Sequence, residues 1–384
     1  MRKVALGIIA LLLIAFISGC ISQTQTVTVT KTVTNTAEEK ATTSQAESGT
    51  MRTSTPKPTT TTTTKTKEGV PTTWQVVPRP KSCENWRDNL EVAIYCALDP
   101  AFIRQLRVML RDNIAPNATT PAEKVYYVLS YGTINLALDT VKENKSMEIG
   151  HYYDIKTPFE TLDSRSGSRA DLALLYAGFF LVIFNESYIY YSITLDNQID
   201  AEAGFDYQGI HYTTLWPYPF PLPLTQYERL AAMYGHAEIH DVIAYRIKLQ
   251  YPDEIIVEKR LIPIEERAQW DSEFHRKGLY LTHKNLKRLQ EDINKLFRQA
   301  LQSNGLNLEY NSSIKYDYQS KRITHRYPLG AFFYSEPFHK EFATGMLISF
   351  LASTNAGKEV PKYSKYYIEV ETSLDDILIT LYLR

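Results

Sequence analysis

The sequence predicts an α+β fold, because helical and strand patterns occupy separate blocks of the chain. Apolar residues recur with helical spacing over 99–114 and again over 119–138. A third helical block at 170–184 is apolar on nearly every side, and strand-like alternation follows over 188–195 and 206–216. Repeated βαβ units would interleave the two patterns, so the α+β class is favoured.

The N-terminal residues predict an export signal. The basic residues Arg2 and Lys3 precede an unbroken apolar run of 14 residues over 4–17. That run is shorter than the ~20 residues that span a bilayer, and it suits the core of a signal peptide. Small residues before Cys20 resemble a lipobox, which predicts a signal peptide over 1–19 and a lipid on Cys20. We therefore expect a lipoprotein anchored at the cell surface, on the outer face of the cytoplasmic membrane; an uncleaved signal anchor is the alternative.

Residues 20–75 are predicted to form a disordered stalk. The stretch 21–73 contains 21 Thr and 4 Ser, so it has too little apolar area to offset the conformational entropy lost on folding. Such a composition suits an O-glycosylated spacer that holds a domain away from the membrane. The remaining chain is long enough for one large domain or two domains in contact.

Composition limits the expected partners. The net charge is −1 and no Lys/Arg cluster stands out, so nucleic acid is not expected. The 27 tyrosines fall in strand-like clusters, which indicates sheet packing first and a glycan ligand only as an alternative. No cofactor is expected. Surface N-glycosylation is predicted at four Asn-x-Ser/Thr sequons, Asn117, Asn144, Asn185 and Asn311.

Cys83 and Cys96 could form a disulfide, since an exported domain favours such bonds. If one helix covered both residues, their Cα atoms would be ~20 Å apart, whereas a disulfide needs about 4.4–6.8 Å. Either the helix begins well after Cys83 and the chain folds back, or both thiols are free.

Local signals define most of the other elements. Thr120 as cap, Pro121 at the first helical position and Glu123 closing a capping box predict where the second helix begins.

The polar stretch 139–157 is expected to be a connection. Further helices are predicted over 226–236, 285–305 and 341–353, and strands over 188–195, 242–249, 254–262 and 365–384, with a hairpin over 206–216 that turns at Gln208 and Gly209.

Two stretches of this chain resemble the transglutaminase-like superfamily in its archaeal and bacterial surface form. Members show a helix beginning P-x-E-K-x-x-x-x-L and, further on, the pattern P-x-E-T-L-x-x-R-x-G-D-C-E-D-x-A-x-L-L. The matching residues, within a resemblance over roughly 84–225, are Pro121, Glu123, Lys124, Leu129, Pro158, Glu160, Thr161, Leu162, Arg165, Gly167, Asp171, Ala173, Leu174 and Leu175. The resemblance implies a papain-like core over 76–225, with N-terminal helices packed on an antiparallel sheet, and a C-terminal α+β part over 226–384 packed on that core.

The resemblance also implies that the catalytic residues have been replaced. In the family, a cysteine at the N-terminus of the buried helix is activated by the helix dipole and a histidine, which an aspartate orients. Aligning G-D-C-E-D on 167–171 puts Arg169 at the cysteine, and a guanidinium has no usable nucleophile. The histidine position falls at Asp200, and the aspartate position falls at Leu215 or Trp216. We predict an ion pair between Arg169 and Asp200 in the former active site.

The helix itself is expected to be retained as architecture. Ser168 followed by Asp171 predicts a capping box at its N-terminus. The implied function is therefore a binding or scaffolding module for a peptide, an envelope component or a partner protein, rather than an enzyme.

One alternative is a hydrolase with a rebuilt active site. Ser166 or Ser168 could combine with His211 and Asp206, although a triad requires strict mutual geometry. Ser168 is already explained as a helix cap, and His211 lies in an ordinary strand pattern.

A second alternative is a zinc hydrolase that uses His236 and His240, which would share a helix face at the spacing i, i+4. Glu238 does not stand where the H-E-x-x-H motif places its glutamate, so this site is a weak candidate. A third alternative, the solute-binding lipoprotein of a transporter, would need two α/β lobes with many tight glycine turns, and the chain has only 16 Gly.

Overall fold

The computed structural model describes residues 70–233, 239–250 and 253–384. The described helices are α1 (Leu90–Ala97), α2 (Pro100–Met109), α3 (Pro121–Asn135), α4 (Thr140–Ile149), α5 (Pro158–Ser164), α6 (Arg169–Phe184), α7 (Leu224–Met233), α8 (Ile264–Arg276), α9 (His283–Ser303), α10 (His339–Ser353) and α11 (Ala356–Glu359). The described strands are β1 (Gln75–Val76), β2 (Ala137–Leu138), β3 (Ser166–Gly167), β4 (Glu186–Thr194), β5 (Ile199–Tyr207), β6 (Ile210–Thr213), β7 (Leu222–Pro223), β8 (Ile239–Gln250), β9 (Glu254–Ile262), β10 (Glu309–Tyr310), β11 (Lys321–Tyr327), β12 (Lys365–Ser373) and β13 (Asp376–Leu383).

Two larger sheets organise these elements. The first has seven strands in the order β1-β9-β8-β4-β5-β6-β7, and all its neighbouring strands are antiparallel. The second has four strands in the order β10-β12-β13-β11, of which only β10 and β12 run parallel. The predicted α+β class is therefore confirmed, with a large antiparallel sheet. It does not match the two lobes of repeated βα units that a solute-binding lipoprotein would need.

Helix α6 is the centre of the first hydrophobic core, as its apolar sequence predicts. It lies on one face of the seven-stranded sheet, where the rings of Phe180 and Phe184 approach Phe205 of β5 at 4.7 and 4.9 Å. The C-terminal end of α6 also approaches Tyr207, at the hairpin end of β5. The N-terminus of α6 therefore lies near the start of β5, at the opposite edge of this layer.

The other face of the seven-stranded sheet packs on the C-terminal half of the chain. Tyr188 and Tyr190 of β4 belong to a second core together with residues of α7, α9, α10 and the four-stranded sheet. Phe220 and Phe342 join the two halves, with ring centroids 4.8 Å apart. The described residues thus form two large cores, one on each face of this sheet, and a small cluster of Ile314, Tyr367 and Tyr382.

The boundaries predicted from the sequence need two corrections. Strands β8 and β9 pair within the same sheet as β4 and β5, so the proposed division between 76–225 and 226–384 cuts through one sheet. Residues 70–75 belong to the fold rather than to the stalk, because the Pro71 carbonyl accepts a hydrogen bond from Leu261 N–H and β1 pairs with β9. The remaining stalk, the signal peptide over 1–19 and Cys20 lie outside the described residues. No helix in the described part of the chain is long and apolar enough to cross a membrane.

Cys83 and Cys96 form a disulfide with a Cα–Cα distance of 5.8 Å. The first alternative above is therefore correct: α1 begins only at Leu90, where the Asn89 side chain accepts hydrogen bonds from Glu91 and Val92 N–H. The segment before this cap folds back and brings Cys83 to the helix.

The predicted sequons differ in accessibility. Asn117, Asn144 and Asn185 are exposed, whereas Asn311 is half-buried. The Asn311 side chain also accepts a hydrogen bond from Ser313 N–H at 2.9 Å.

The stretch 139–157, expected to be a connection, instead contains helix α4. The Asp139 side chain accepts from Lys142 N–H at 3.0 Å and caps the helix, and Gly150 ends it with a positive φ of 75°. The capping box predicted for α3 is shifted by one residue, since Glu123 accepts from Thr119 N–H rather than from Thr120 N–H.

Candidate functional site

A cleft of about 310 Å³ opens at the N-terminus of α6. It lies between the start of α6, the adjoining ends of β4 and β5, the segment that follows β6, and helix α7. Its described lining residues are Met147, Arg169, Ser192, Thr194, Gln198, Ile199, Asp200, Leu215, Trp216, Pro217, Tyr218, Tyr227, Leu230, Ala231 and Ile239. Apolar and aromatic walls with a few polar groups are the usual composition of a ligand site.

The local sequence fixes the start of α6. Half of the predicted capping box is formed: Ser168 N–H donates to Asp171 Oδ2 at 2.8 Å, whereas the buried Ser168 hydroxyl has no hydrogen-bond partner among the described residues. Gly167 is required just before the cap, because a Cβ there would lie 2.7 Å from the Asp171 Cβ. These contacts place Arg169 as the first residue of the helix, at the edge of the cleft.

Asp171 also ties neighbouring segments to the start of α6. Its carboxylate is fully buried, forms an ion pair with Lys142 Nζ of α4 at 2.8 Å, and accepts from Lys156 N–H at 2.8 Å. Lys142 Nζ donates in addition to the carbonyl of Asp154. Because buried charges are stable only when paired and hydrogen-bonded, this network fixes α4 against α6 and so positions Glu143, the next residue of α4.

Three carboxyl groups surround the Arg169 guanidinium. Nη1 donates to Glu202 Oε1 at 2.7 Å and lies 3.5 Å from Asp200 Oδ2, and Nε lies 4.0 Å from Glu143 Oε1. The Arg169 backbone N–H also donates to Glu143 Oε2 at 2.9 Å. The predicted Arg169–Asp200 ion pair is therefore present, but the shortest contact is with Glu202.

These carboxyls also offset the unfavourable position of the arginine. A positive charge at a helix N-terminus is repelled by the helix dipole. The carboxylate of Asp200 is the main cause that raises the pKa of Arg169, and Glu202 and Glu143 add to this effect. The guanidinium consequently stays charged, and its neighbours keep it at the helix start.

The carboxyls themselves are perturbed by burial. Glu202 is almost completely buried, and desolvation, followed by the charge of Asp200, raises its pKa to about 8. Its second oxygen accepts from Thr214 Oγ1 at 2.7 Å. Burial likewise raises the pKa of Glu143 above its usual range. A strongly perturbed acid next to a cleft is typical of functional sites, although structural ion networks show it as well.

Aromatic residues form the far wall of the cleft. Trp216 precedes Pro217 through a cis peptide bond, and the ring of Tyr218 stacks on Phe333 with centroids 4.2 Å apart. Tyr227 of α7 completes this wall. The polar side is supplied by Ser192 and Thr194 of β4 and by Gln198, so the cleft presents both flat rings and hydrogen-bonding groups.

The positions aligned with the family triad lie together in this cleft. Arg169, Asp200 and both candidates for the third position, Leu215 and Trp216, all contribute to its lining. Glu143 and Glu202 were not predicted. Glu202 had a detectable signal, since it lies two residues after Asp200 on the same strand and so shares its face.

The alternative triad of Ser166 or Ser168 with His211 and Asp206 is wrong. His211 Nδ1 does lie 2.6 Å from Asp206 Oδ1. This pair, however, lies beside the Gln208 turn, which is close to the C-terminal end of α6, whereas Ser168 caps its N-terminal end. A helix of 16 residues separates the two ends by ~24 Å.

The zinc alternative also lacks the expected geometry. His240 belongs to strand β8 rather than to a helix, and His236 lies outside the described residues. His240 Nδ1 lies 3.0 Å from Asp241 Oδ1. The described residues contain no group of three or more His, Cys, Asp or Glu side chains that could hold a metal ion.

Comparisons of the chain with protein-family models, with curated proteins and with solved structures give no match.

Proposed function

We propose that the protein is a cell-surface lipoprotein whose transglutaminase-like domain has lost its catalytic triad and binds a ligand in the cleft at the start of α6. A lipid on Cys20 would tether it to the membrane, and the Thr-rich stalk would hold the folded part away from it. The ligand classes proposed are a peptide, a component of the cell envelope or a partner protein, with a glycan as an alternative.

The observation that carries this proposal is the convergence of the aligned triad positions. Arg169, Asp200 and Leu215 come from a helix start, a strand and a loop, yet all three line one cleft. The residue types at these positions do not suit covalent catalysis, because a guanidinium cannot attack a carbonyl and leucine cannot orient a base. The cleft nevertheless remains open beside the ion network.

A test of the binding function is to fill the cleft without touching the ion network. Ala231 lines the cleft, so Ala231→Trp would occupy part of its volume. Ala101→Trp is the matched control, because Ala101 is exposed on α2, outside the cleft. Purified protein would be titrated with fragments of its own cell envelope and with an envelope-derived peptide library. We expect binding to be lost in Ala231→Trp and retained in Ala101→Trp; equal binding by both variants would contradict the proposal.

A test of catalysis uses peptide substrates with and without an amine donor. We expect no amine incorporation and no hydrolysis by the wild-type protein. Turnover that survives Arg169→Ala but disappears in His236→Ala, or on addition of a chelator, would overturn the proposal and favour a zinc hydrolase.

A further inference from the structure

The second sheet ends in strand β11, whose outer edge has no strand paired with it among the described residues. β11 pairs along its whole length with β13, from Lys321 opposite Leu383 to Tyr327 opposite Ile377. On its other side no backbone group of the described residues pairs with it. Such an edge presents a row of free N–H and C=O groups, which is a template for one more strand.

The side chains of β11 carry positive charge and no negative charge. The β11 sequence KRITHRY has no acidic residue, and its cations Lys321, Arg322 and Arg326 are exposed. Arg322 lies over the ring of Tyr382, with its guanidinium carbon 5.4 Å from the ring centroid, which holds its charge on the outer face of the sheet. Arg326 pairs with Asp376 but keeps 69% of its side-chain surface exposed.

These charges decide between the possible occupants. Two copies of the protein could pair their β11 edges in antiparallel fashion, with Thr324 opposite Thr324. In that arrangement Arg322 of each copy would face Arg326 of the other. Like charges directly opposite each other destabilise strand pairing, so a second copy of this chain is disfavoured. The same charges would favour a strand whose side chains are acidic.

We propose that β11 binds an extended acidic segment of a partner protein, which adds to the second sheet as its fifth strand. Backbone hydrogen bonds along β11 would supply affinity, and the exposed cations would select acidic side chains at alternate positions of the segment. This surface is separate from the cleft at α6, and the proposal does not depend on the function of that cleft.

The probe for this test is a fluorescein-labelled octapeptide of alternating valine and glutamate, titrated with the purified full chain and followed by fluorescence anisotropy. A peptide of alternating valine and lysine is the comparison probe. We expect the glutamate peptide to bind, the lysine peptide not to bind, and deuterium exchange of the amides of 321–327 to slow when the glutamate peptide is added. Equal binding of both peptides, no binding of either, or protection confined to another part of the chain would overturn the proposal.

Charge reversal tests the same surface. Lys321→Glu with Arg322→Glu should weaken binding of the glutamate peptide by about tenfold or more, because the attraction between Arg322 and the glutamates on its face of the strand becomes repulsion and the reversed charge of Lys321 adds to it from the other face. Lys284→Glu with Lys287→Glu changes the net charge equally at exposed positions of α9, and it should leave the affinity unchanged. Equal weakening by the two double variants would show attraction to net charge alone and would refute a site at β11.

Discussion

Replacing Arg169 with methionine tests whether the ion network at the start of α6 is arranged around its charge. Methionine keeps much of the side-chain volume and removes the guanidinium. The Arg169 side chain is only 26% exposed, and its partners Glu143 and Glu202 are 8% and 9% exposed. Removing one member of a buried ion pair costs about 3–5 kcal/mol, because the remaining charge is left unpaired. Because Arg169 is partly exposed, we expect Arg169→Met to lower the free energy of unfolding by about 3 kcal/mol, at the lower end of that range.

This loss should depend on pH. The pKa of Glu202 in the folded protein is raised to about 8 from an ordinary value of 4.5. Its contribution to stability is therefore fully present below the unfolded pKa and is lost as pH rises through the folded pKa. Arg169 lowers this pKa, so its removal should make the loss at alkaline pH larger. Near pH 5 a protonated Glu202 no longer needs the cation, so the loss that remains, from its hydrogen bond and from the contact with Asp200, should be smaller than at alkaline pH.

The assay is urea unfolding followed by circular dichroism at about pH 5 and about pH 9, a range that spans the titration of Glu202. Arg169→Met combined with Glu202→Gln should recover most of the alkaline loss. Arg79→Met is the control, since Arg79 forms an exposed pair with Glu254 at 3.9 Å and should lose at most about 1 kcal/mol. A loss of the same size at both pH values, or no recovery in the double variant, would refute the reasoning.

Three further variants test other contacts that hold the fold, each by its free energy of unfolding in urea. Lys142→Met should cost about 3–5 kcal/mol, because it leaves the carboxylate of Asp171 buried without its cation; a loss below about 1 kcal/mol would contradict the role of this pair. Gly204→Ala should lower the free energy of unfolding by about 1–3 kcal/mol, because the added Cβ would lie 2.6 Å from the backbone oxygen of Tyr212 in β6. Gly357→Ala is its control: no atom lies within 4 Å of that Cβ, so the change should be neutral or mildly stabilising. Cys96→Ser opens a disulfide that spans 13 residues and should cost about 3 kcal/mol, and a reducing agent should then no longer affect the unfolding midpoint.

The elements that the sequence predicts well are those whose signals are local. The unbroken apolar run of α6 can only be satisfied by burial on all sides, and the structure buries it so. Gln208 and Gly209 both adopt positive φ values, 51° and 77°, as a tight hairpin turn requires. Strand β9 matches its predicted range and β8 lies close to its own, because both are bounded by clear changes in the side-chain pattern.

The elements that the sequence misses depend on distant partners. Helix α4 has almost no apolar stripe, so hydrophobic periodicity cannot reveal it; its Lys142 and Glu143 are instead held by partners on α6. The division at 225 fails for a similar reason. Strand β8 joins the first sheet through its pairing with β4, and no local pattern specifies which earlier strand a later one will join.

The network around Arg169 also limits what the cleft can recognise. A guanidinium in a cleft would ordinarily attract a ligand carboxylate or phosphate. Here Arg169 Nη1 already donates to Glu202 Oε1 at 2.7 Å, and Arg169 Nε lies 4.0 Å from the carboxyl oxygen Oε1 of Glu143. An anionic ligand would have to displace the hydrogen-bonded Glu202 and would be repelled by the carboxylate of Asp200, which lies 3.5 Å from the same Nη1. For the proposed binding function we therefore expect recognition to come mainly from the opposite wall, where the rings of Trp216 and Tyr218 would favour a neutral ligand with a flat apolar face.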